Sequence, residues 1–170
     1  RPERLARAYL EYGRSFQGAG QFETALEFIN RAYVALKAQD NEFQVAFAAN
    51  SLANVYLDLH KIEKSERHAK ESIALGEKTD NTDAVSGAYY ALAKVNYYRA
   101  NHDSAVKFIE KSQQLAIEST NPERQMHNSA LYALILASKG ETHNAVNTLR
   151  NSLAKYNENG AIVLVKDKDE

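Results

Sequence analysis

Five histidines are the residues best suited to hold a metal or shuttle a proton, and their spacing points away from both roles. His60, His102 and His143 stand 41 to 42 residues apart. A metal centre needs ligands that converge on one point with acidic or thiolate partners, and this spacing sets the three in different structural units. His68 has Arg67 and Lys70 beside it and reads as a surface residue. Glu63 and Glu66 have the spacing of a general acid and base on one helix face, but Lys64 and Arg67 alternate with them, as on a solvated charged face. There is no glycine-rich phosphate loop, no G-x-S-x-G elbow and no H-E-x-x-H. With no cysteine, thiol catalysis, disulfides and zinc-thiolate sites are excluded together. The expectation is a protein that is not an enzyme and has no cofactor.

The elements that carry these residues repeat every 40 positions. Gly13, Ala53, Ala93 and Ala133 form one column of small residues, and Ala25, Ser65, Ala105 and Ala145 form a second. Leu5, Ala8, Tyr9, Tyr12 and Phe16 recur at steps of three and four with one step of one, which is helical spacing. Phe22, Ala25, Leu26, Ile29, Ala32, Tyr33 and Leu36 make one face of a second helix after a break at Ala19-Gly20. Asn41, Asn81 and Asn121 fall where an N-cap is needed, and Pro122 follows at a first helical position, where its missing amide hydrogen is no loss. Further turns are expected at His60-Lys61, Ala100-Asn101 and Lys139-Gly140.

The spacing thus predicts an all-α chain of four helical hairpins, at about 3–40, 43–80, 83–120 and 123–156. The fourth is the least faithful, because Asn128 and Thr148 stand where other copies more often carry apolar residues. A terminal repeat that caps a stack departs in this way. Residues 157–170 have no counterpart, and Ala161-Ile162-Val163-Leu164-Val165 reads as extended. A frayed end, a strand laid on the helices and the start of a further segment all remain open for this tail.

Composition bounds the function. At 170 residues, 44% hydrophobic and 25% charged, the chain can bury a sizeable core. A net charge of −1 offers no general attraction to nucleic acid or to an anionic membrane. No apolar run reaches the length of about 20 residues that spans a bilayer. A cytoplasmic location is the expectation, and oligomeric state is not addressed by the sequence.

The hairpin resembles the tetratricopeptide repeat. A large residue precedes a small one in the first helix at Tyr12-Gly13, Leu52-Ala53, Leu92-Ala93 and Tyr132-Ala133, with Phe16, Tyr56 and Leu136 at the next large position and Asn96 departing from it. Small residues recur in the second helix at Ala32, Ser72, Ser112 and Ser152. The period is 40 where the family's commonest form has about 34, and no copy carries the usual Trp. This resembles the longer-helix branch found in cargo adaptors and bacterial signalling regulators. HEAT and armadillo repeats have periods of about 40 to 47, but the small-residue columns favour the tetratricopeptide reading.

That resemblance implies a right-handed superhelical stack, a tetratricopeptide-like α-solenoid, with a concave groove lined by the first helix of each hairpin. Tyr9, Tyr12, Phe16, Phe22, Tyr56 and Phe108 fit core columns, whereas Tyr90 and Tyr97 do not. Arg7, Leu10, Arg14, Gln17, Asn50, Asn54, Tyr90, Lys94, Tyr97 and His127 fall on the stripe that would face the groove. Asn54 matches one position of the family's clamp for a C-terminal carboxylate, while Leu10 and Tyr90 stand where its basic residues would help. The expectation is a peptide-binding site formed by Arg7, Arg14, Gln17, Asn50, Asn54, Tyr90, Lys94, Tyr97 and His127, taking an extended protein segment, with an acidic one as the hypothesised class. Two plainer readings of the stripe stay open: a wet concave surface, or contact with a neighbouring domain. The function implied is a non-enzymatic interaction module within a larger regulatory or signalling protein; the alternative is a ligand- or peptide-sensing domain that controls an attached output domain.

Overall fold

A computed structural model describes residues 2–158; the extended reading of Ala161 to Val165 falls outside them. The elements in it are eight α-helices, α1 (Pro2–Gly18), α2 (Phe22–Lys37), α3 (Glu42–Asp58), α4 (Ile62–Lys78), α5 (Thr82–Tyr98), α6 (His102–Glu118), α7 (Pro122–Ser138) and α8 (Thr142–Glu158). Each packs on the one before it, pairing as α1/α2, α3/α4, α5/α6 and α7/α8. We refer to α1, α3, α5 and α7 as the inner helices and to the others as the outer helices.

The helices end on a 20-residue schedule. Gly20, Asp40, His60, Asp80, Ala100, Thr120 and Gly140 all have φ between 51° and 84°. In each turn the next residue returns its amide to the carbonyl five positions back, as in Gln21 N to Phe16 O at 2.9 Å, Lys61 N to Tyr56 O at 2.8 Å and Glu141 N to Leu136 O at 2.9 Å. This is the αL closure that satisfies orphan carbonyls at a helix end. Asn41, Asn81 and Asn121 then accept from Gln44, Ala84 and Arg124 amides as N-caps. Asn81 and Asn121 also donate backward, to Phe43 O at 2.9 Å and to Asp83 Oδ1 at 3.3 Å. One residue type therefore starts a hairpin and fastens it to the previous one.

Within each hairpin the two helices meet at the small columns. Gly13, Ala53, Ala93 and Ala133 are buried, as are Ala25, Ser65, Ala105 and Ala145. A methyl group on Gly13 would overlap Ile29, so the absence of a side chain sets how close α1 and α2 come. The neighbouring large column behaves differently from the expectation at its first member. Leu52 is 0% exposed, but Tyr12 is 59% exposed. Leu52 is covered by the α2 residues of the preceding hairpin; Tyr12 has no preceding hairpin among the described residues, so the ring rests on Phe28 at 6.0 Å and faces outward.

His68 is a second correction, since it is only 8% exposed. Its ring stacks on Tyr56 at 5.5 Å and meets Tyr33 edge-on at 5.7 Å. Glu71 Oε2 is 3.3 Å from Nδ1 but out of line for a hydrogen bond. The 40-residue register explains the burial: Phe28 and Phe108 occupy the same column, and the imidazole replaces a phenyl ring. Burial pushes the His68 pKa below its ordinary 6.5, a shift opposed by Glu71 and reinforced by Arg67 and Lys37. Neutral His68 thus contributes stability that is fully present above 6.5 and is lost as pH falls toward the lower folded-state value.

Two outcomes are expected. Gly20→Ala and Gly140→Ala should each lower stability by about 1 kcal/mol, because a Cβ is disfavoured at positive φ, while Ala100→Gly should hold or raise it; urea denaturation of the three variants checks this. His68→Phe should flatten the fall in melting temperature between pH 7 and pH 5, leaving the part due to His127, whose pKa is also lowered by burial and by Arg124. An unaltered pH profile in that variant would show that His68 is not the group responsible.

Candidate functional site

The inner helices approach one another, α3 with α5 most closely, whereas the outer helices keep their backbones apart. Long side chains bridge the outer side, as where Tyr33 donates to Glu71 Oε1 at 2.6 Å and Lys37 reaches the same oxygen at 3.2 Å. This asymmetry curves the stack and leaves a cavity of about 400 Å³ that touches all four inner helices.

Seven of the nine predicted residues line that cavity: Arg14 and Gln17 from α1, Asn50 and Asn54 from α3, Tyr90 and Lys94 from α5, and His127 from α7. Two do not. Arg7 lies in a separate hollow with Glu3, Arg4 and Gln44, beyond the end of the cavity. Tyr97, like Tyr90, packs on the third core cluster, but it does not line the cavity, and its hydroxyl accepts from Ser138 Oγ at 3.3 Å. It closes the side of α5 against α7. Leu10, also on the predicted stripe, is buried in the first core cluster.

The two asparagines are less free than a pair of exposed amides. Asn54 Nδ2 donates to Asn50 O at 2.9 Å and to Asn50 Oδ1 at 3.0 Å, and Asn50 is 6% exposed. Asn50 fits there because Gly87 faces it; a methyl at Gly87 would overlap the Asn50 carboxamide. The pair therefore leaves Asn54 Oδ1 and Asn50 Nδ2 as its unused acceptor and donor, the latter lying against Gly87.

Residues outside the predicted set change the electrostatics. Asp58, Asp83, Glu123 and Arg124 also line the cavity. Each continues the stripe at helical spacing, since Asp58 follows Asn54 by four, Asp83 precedes Tyr90 by seven, and Glu123 and Arg124 precede His127 by four and three. Extending the stripe along each helix at that spacing would have found them. Three acidic residues now oppose the three cations Arg14, Lys94 and Arg124, so the groove mixes charge and is not simply positive. Asp58 is engaged, accepting from Gln17 Nε2 at 2.6 Å with Lys94 at 3.8 Å. Arg14 lies 3.7 Å from Glu11.

Arg124 is the exception. Its guanidinium lies over the Tyr90 ring at 5.2 Å, where Lys94 also sits at 5.9 Å, and it forms no ion pair or side-chain hydrogen bond among the described residues. Burial lowers its pKa below the ordinary arginine range, although the group stays charged at neutral pH. Burial likewise raises the Tyr90 pKa, with Arg124 opposing. A guanidinium stacked on an aromatic ring leaves its in-plane N–H fork available to an anion.

Comparison with known proteins places this geometry in a class. The tetratricopeptide repeat family model matches residues 44–118, so the two central hairpins, α3 to α6, are tetratricopeptide repeats, and those at either end extend the same solenoid. Among solved structures, BtubC from P. vanneervenii aligns with a TM-score of 0.73 at 17% identity, over 100% of this chain and 70% of that one. A Bacillus subtilis aspartyl phosphate phosphatase F aligns at 0.79 and 14% identity, over 95% of this chain and 43% of that one. A signal transduction ATPase from Pyrococcus horikoshii, described as having a tetratricopeptide repeat sensor, aligns at 0.76 and 22%, over 94% and 25%. At such identities the likeness is one of fold. No curated protein sequence matches the chain. Tetratricopeptide repeats are generally non-catalytic modules for protein interaction, and no helix among the described residues is long and apolar enough to cross a membrane.

Gly87→Ala should cost about 1 to 3 kcal/mol through overpacking and shift the side-chain amide resonances of Asn50 and Asn54. Gly18→Ala, where a new methyl meets nothing within 4 Å, is the control and should cost nothing.

Proposed function

We propose that the groove binds an extended peptide segment bearing an acidic side chain, with Arg124 as the anion-binding residue. The unpaired guanidinium over Tyr90 is the observation that carries this reading. Arg124 is half-buried and has no carboxylate within ion-pairing distance among the described residues, and a carboxylate in the plane of its fork would make two parallel charge-assisted hydrogen bonds. Asn50 Nδ2 and Asn54 Oδ1 offer one donor and one acceptor, the complement of a single peptide group. Asp58, Asp83 and Glu123 add a selectivity that positive charge alone would not supply, by repelling segments with acidic residues at other positions. The protein is thus an interaction module within a larger regulatory or signalling protein.

A peptide array probed with the wild type should return segments containing Asp or Glu. For the strongest of them, Arg124→Gln should weaken binding by at least tenfold with little change in melting temperature, and Asn54→Ala by about 1 to 3 kcal/mol through an unpaired backbone group, with a lower melting temperature because Asn50 Oδ1 loses its donor. Binding should weaken further as salt is raised. Equal binding by wild type and Arg124→Gln would show that the groove is not the site.

A further inference from the structure

On the premise that the groove takes an acidic segment, we infer that its resting occupant is a segment of this same chain, Lys166-Asp167-Lys168-Asp169-Glu170, which a partner must displace. Residues 159–170 lie outside the described residues, and what points to this occupant is the charge of the groove and the place where α8 ends.

The groove disfavours a segment of one sign. Its lining sets Arg14, Lys94 and Arg124 against Asp58, Asp83 and Glu123. Asp58 is engaged by Gln17 and Lys94, and Asp83 accepts from Asn121 Nδ2 at 3.3 Å. Among the described residues, however, Asp83 and Glu123 have no cation within ion-pairing distance, and Arg124 has no carboxylate. The complement is a segment that carries acids and bases in alternation. Lys166 to Glu170 are five charged residues in a row, alternating in sign up to the last; nowhere else in the chain do more than two charged residues stand together. In an extended chain, successive side chains point to opposite faces, so Asp167 and Asp169 share one face and Lys166 and Lys168 the other. The first face supplies a carboxylate to the N–H fork of Arg124, whose guanidinium is stacked on Tyr90. The second supplies ammonium groups to Asp83 and Glu123.

The chain is long enough to reach. In the last turn of α8, Lys155 donates to Gln125 Oε1 at 3.3 Å, and Asn151, Ser152 and Lys155 share a hollow with Pro122, Gln125 and Met126. The end of α8 therefore lies beside the start of α7, which is the end that bears Glu123 and Arg124. Gln125 faces α8 and Arg124 faces the groove, so the thickness of one helix, about 10 to 12 Å, separates the two sides. Residues 159–165 can span roughly 23 to 25 Å when extended, enough to pass round the start of α7 and set Lys166 to Glu170 in the groove. A segment tethered this closely has an effective concentration in the millimolar range. A contact too weak to retain a free peptide then retains the tail, and the tail sets a threshold that a partner must exceed.

The test uses the full 170-residue chain, with the side-chain NMR signals of Arg124, Asn50 and Asn54 as the groove readout and capped Lys-Asp-Lys-Asp-Glu as the free probe. Asp167→Asn/Asp169→Asn is expected to shift all three signals, and the probe should bind that variant roughly fivefold or more tightly than wild type. Lys166→Glu/Lys168→Glu, which sets acids against Asp83 and Glu123, should free the groove in the same way. In an Arg124→Gln background the tail substitutions should no longer move the Asn50 and Asn54 signals. Wild-type signals should be the same at every protein concentration, as an intramolecular contact requires; signals that change with concentration would place the tail in a second copy and overturn the inference. Groove signals unmoved by the tail substitutions, or a probe that binds wild type and variant equally, would also overturn it while leaving the groove's binding of array peptides intact. A tail variant that binds neither the probe nor any array peptide would overturn the groove's proposed role, and the inference with it.

Discussion

The left-handed residue at every twentieth position is the constraint from which the other features follow. It stops each helix from α1 to α7 by the same three-residue device, so helices α3 to α7 are all 17 residues long, and it reverses the chain through the same geometry between hairpins as within them. With equal helices and equal turns, a residue's position in the 40-residue register sets what it touches. Glycine occupies that conformation without penalty at Gly20 and Gly140, but Asp40, His60, Asp80, Ala100 and Thr120 adopt it with a Cβ. Such residues persist only because packing on both sides over-determines them.

Between successive hairpins, helices of the same layer come close only on the inner side. Ten residues of α3 and nine of α5 are buried, and their many alanines, together with Gly87, let the two backbones draw together. The groove is a by-product of that contact. Its polar side chains project from helices whose remaining faces are fixed in the core, which holds the Asn50–Asn54 pair and the Arg124–Tyr90 stack without loops.

The fold was legible because a 40-residue repeat shows the same choice several times over, and small columns, N-cap asparagines and turns all agreed on one register. What the sequence concealed concerned neighbours that differ between copies. Tyr12 and Leu52 share a column, but only Leu52 has a preceding hairpin to cover it. His68 looked like a surface residue from its charged neighbours along the chain; its neighbours in space are Tyr33 and Tyr56. Seven stripe residues do reach one cavity, but Asp58, Asp83 and Glu123, which balance its cations, sit beyond the span of that stripe. Tyr97 was set apart for not fitting a core column, and it nonetheless packs on the core. Asn128 and Thr148 were visible as departures from the pattern, but their consequences differ: Asn128 is larger than the alanine of the other copies and is buried against Ser112, whereas the volume lost at Thr148 appears only once Phe28 and Phe108 are seen packed beside Tyr9 and Tyr89.

The two edges of the solenoid differ in how they resist deformation. Along the inner edge, backbones rest on one another through alanine and glycine, and repulsion there rises steeply with any further approach. Along the outer edge, the links are rotatable arms such as Lys37 and Tyr33 to Glu71, which lengthen or re-pair at little energetic cost. The molecule is thus a spring with a stiff spine and a compliant rim. Bending fans the outer helices like the pages of a book about its binding, so a change in pitch leaves the lining of the groove nearly undisturbed while moving the outer surface the farthest.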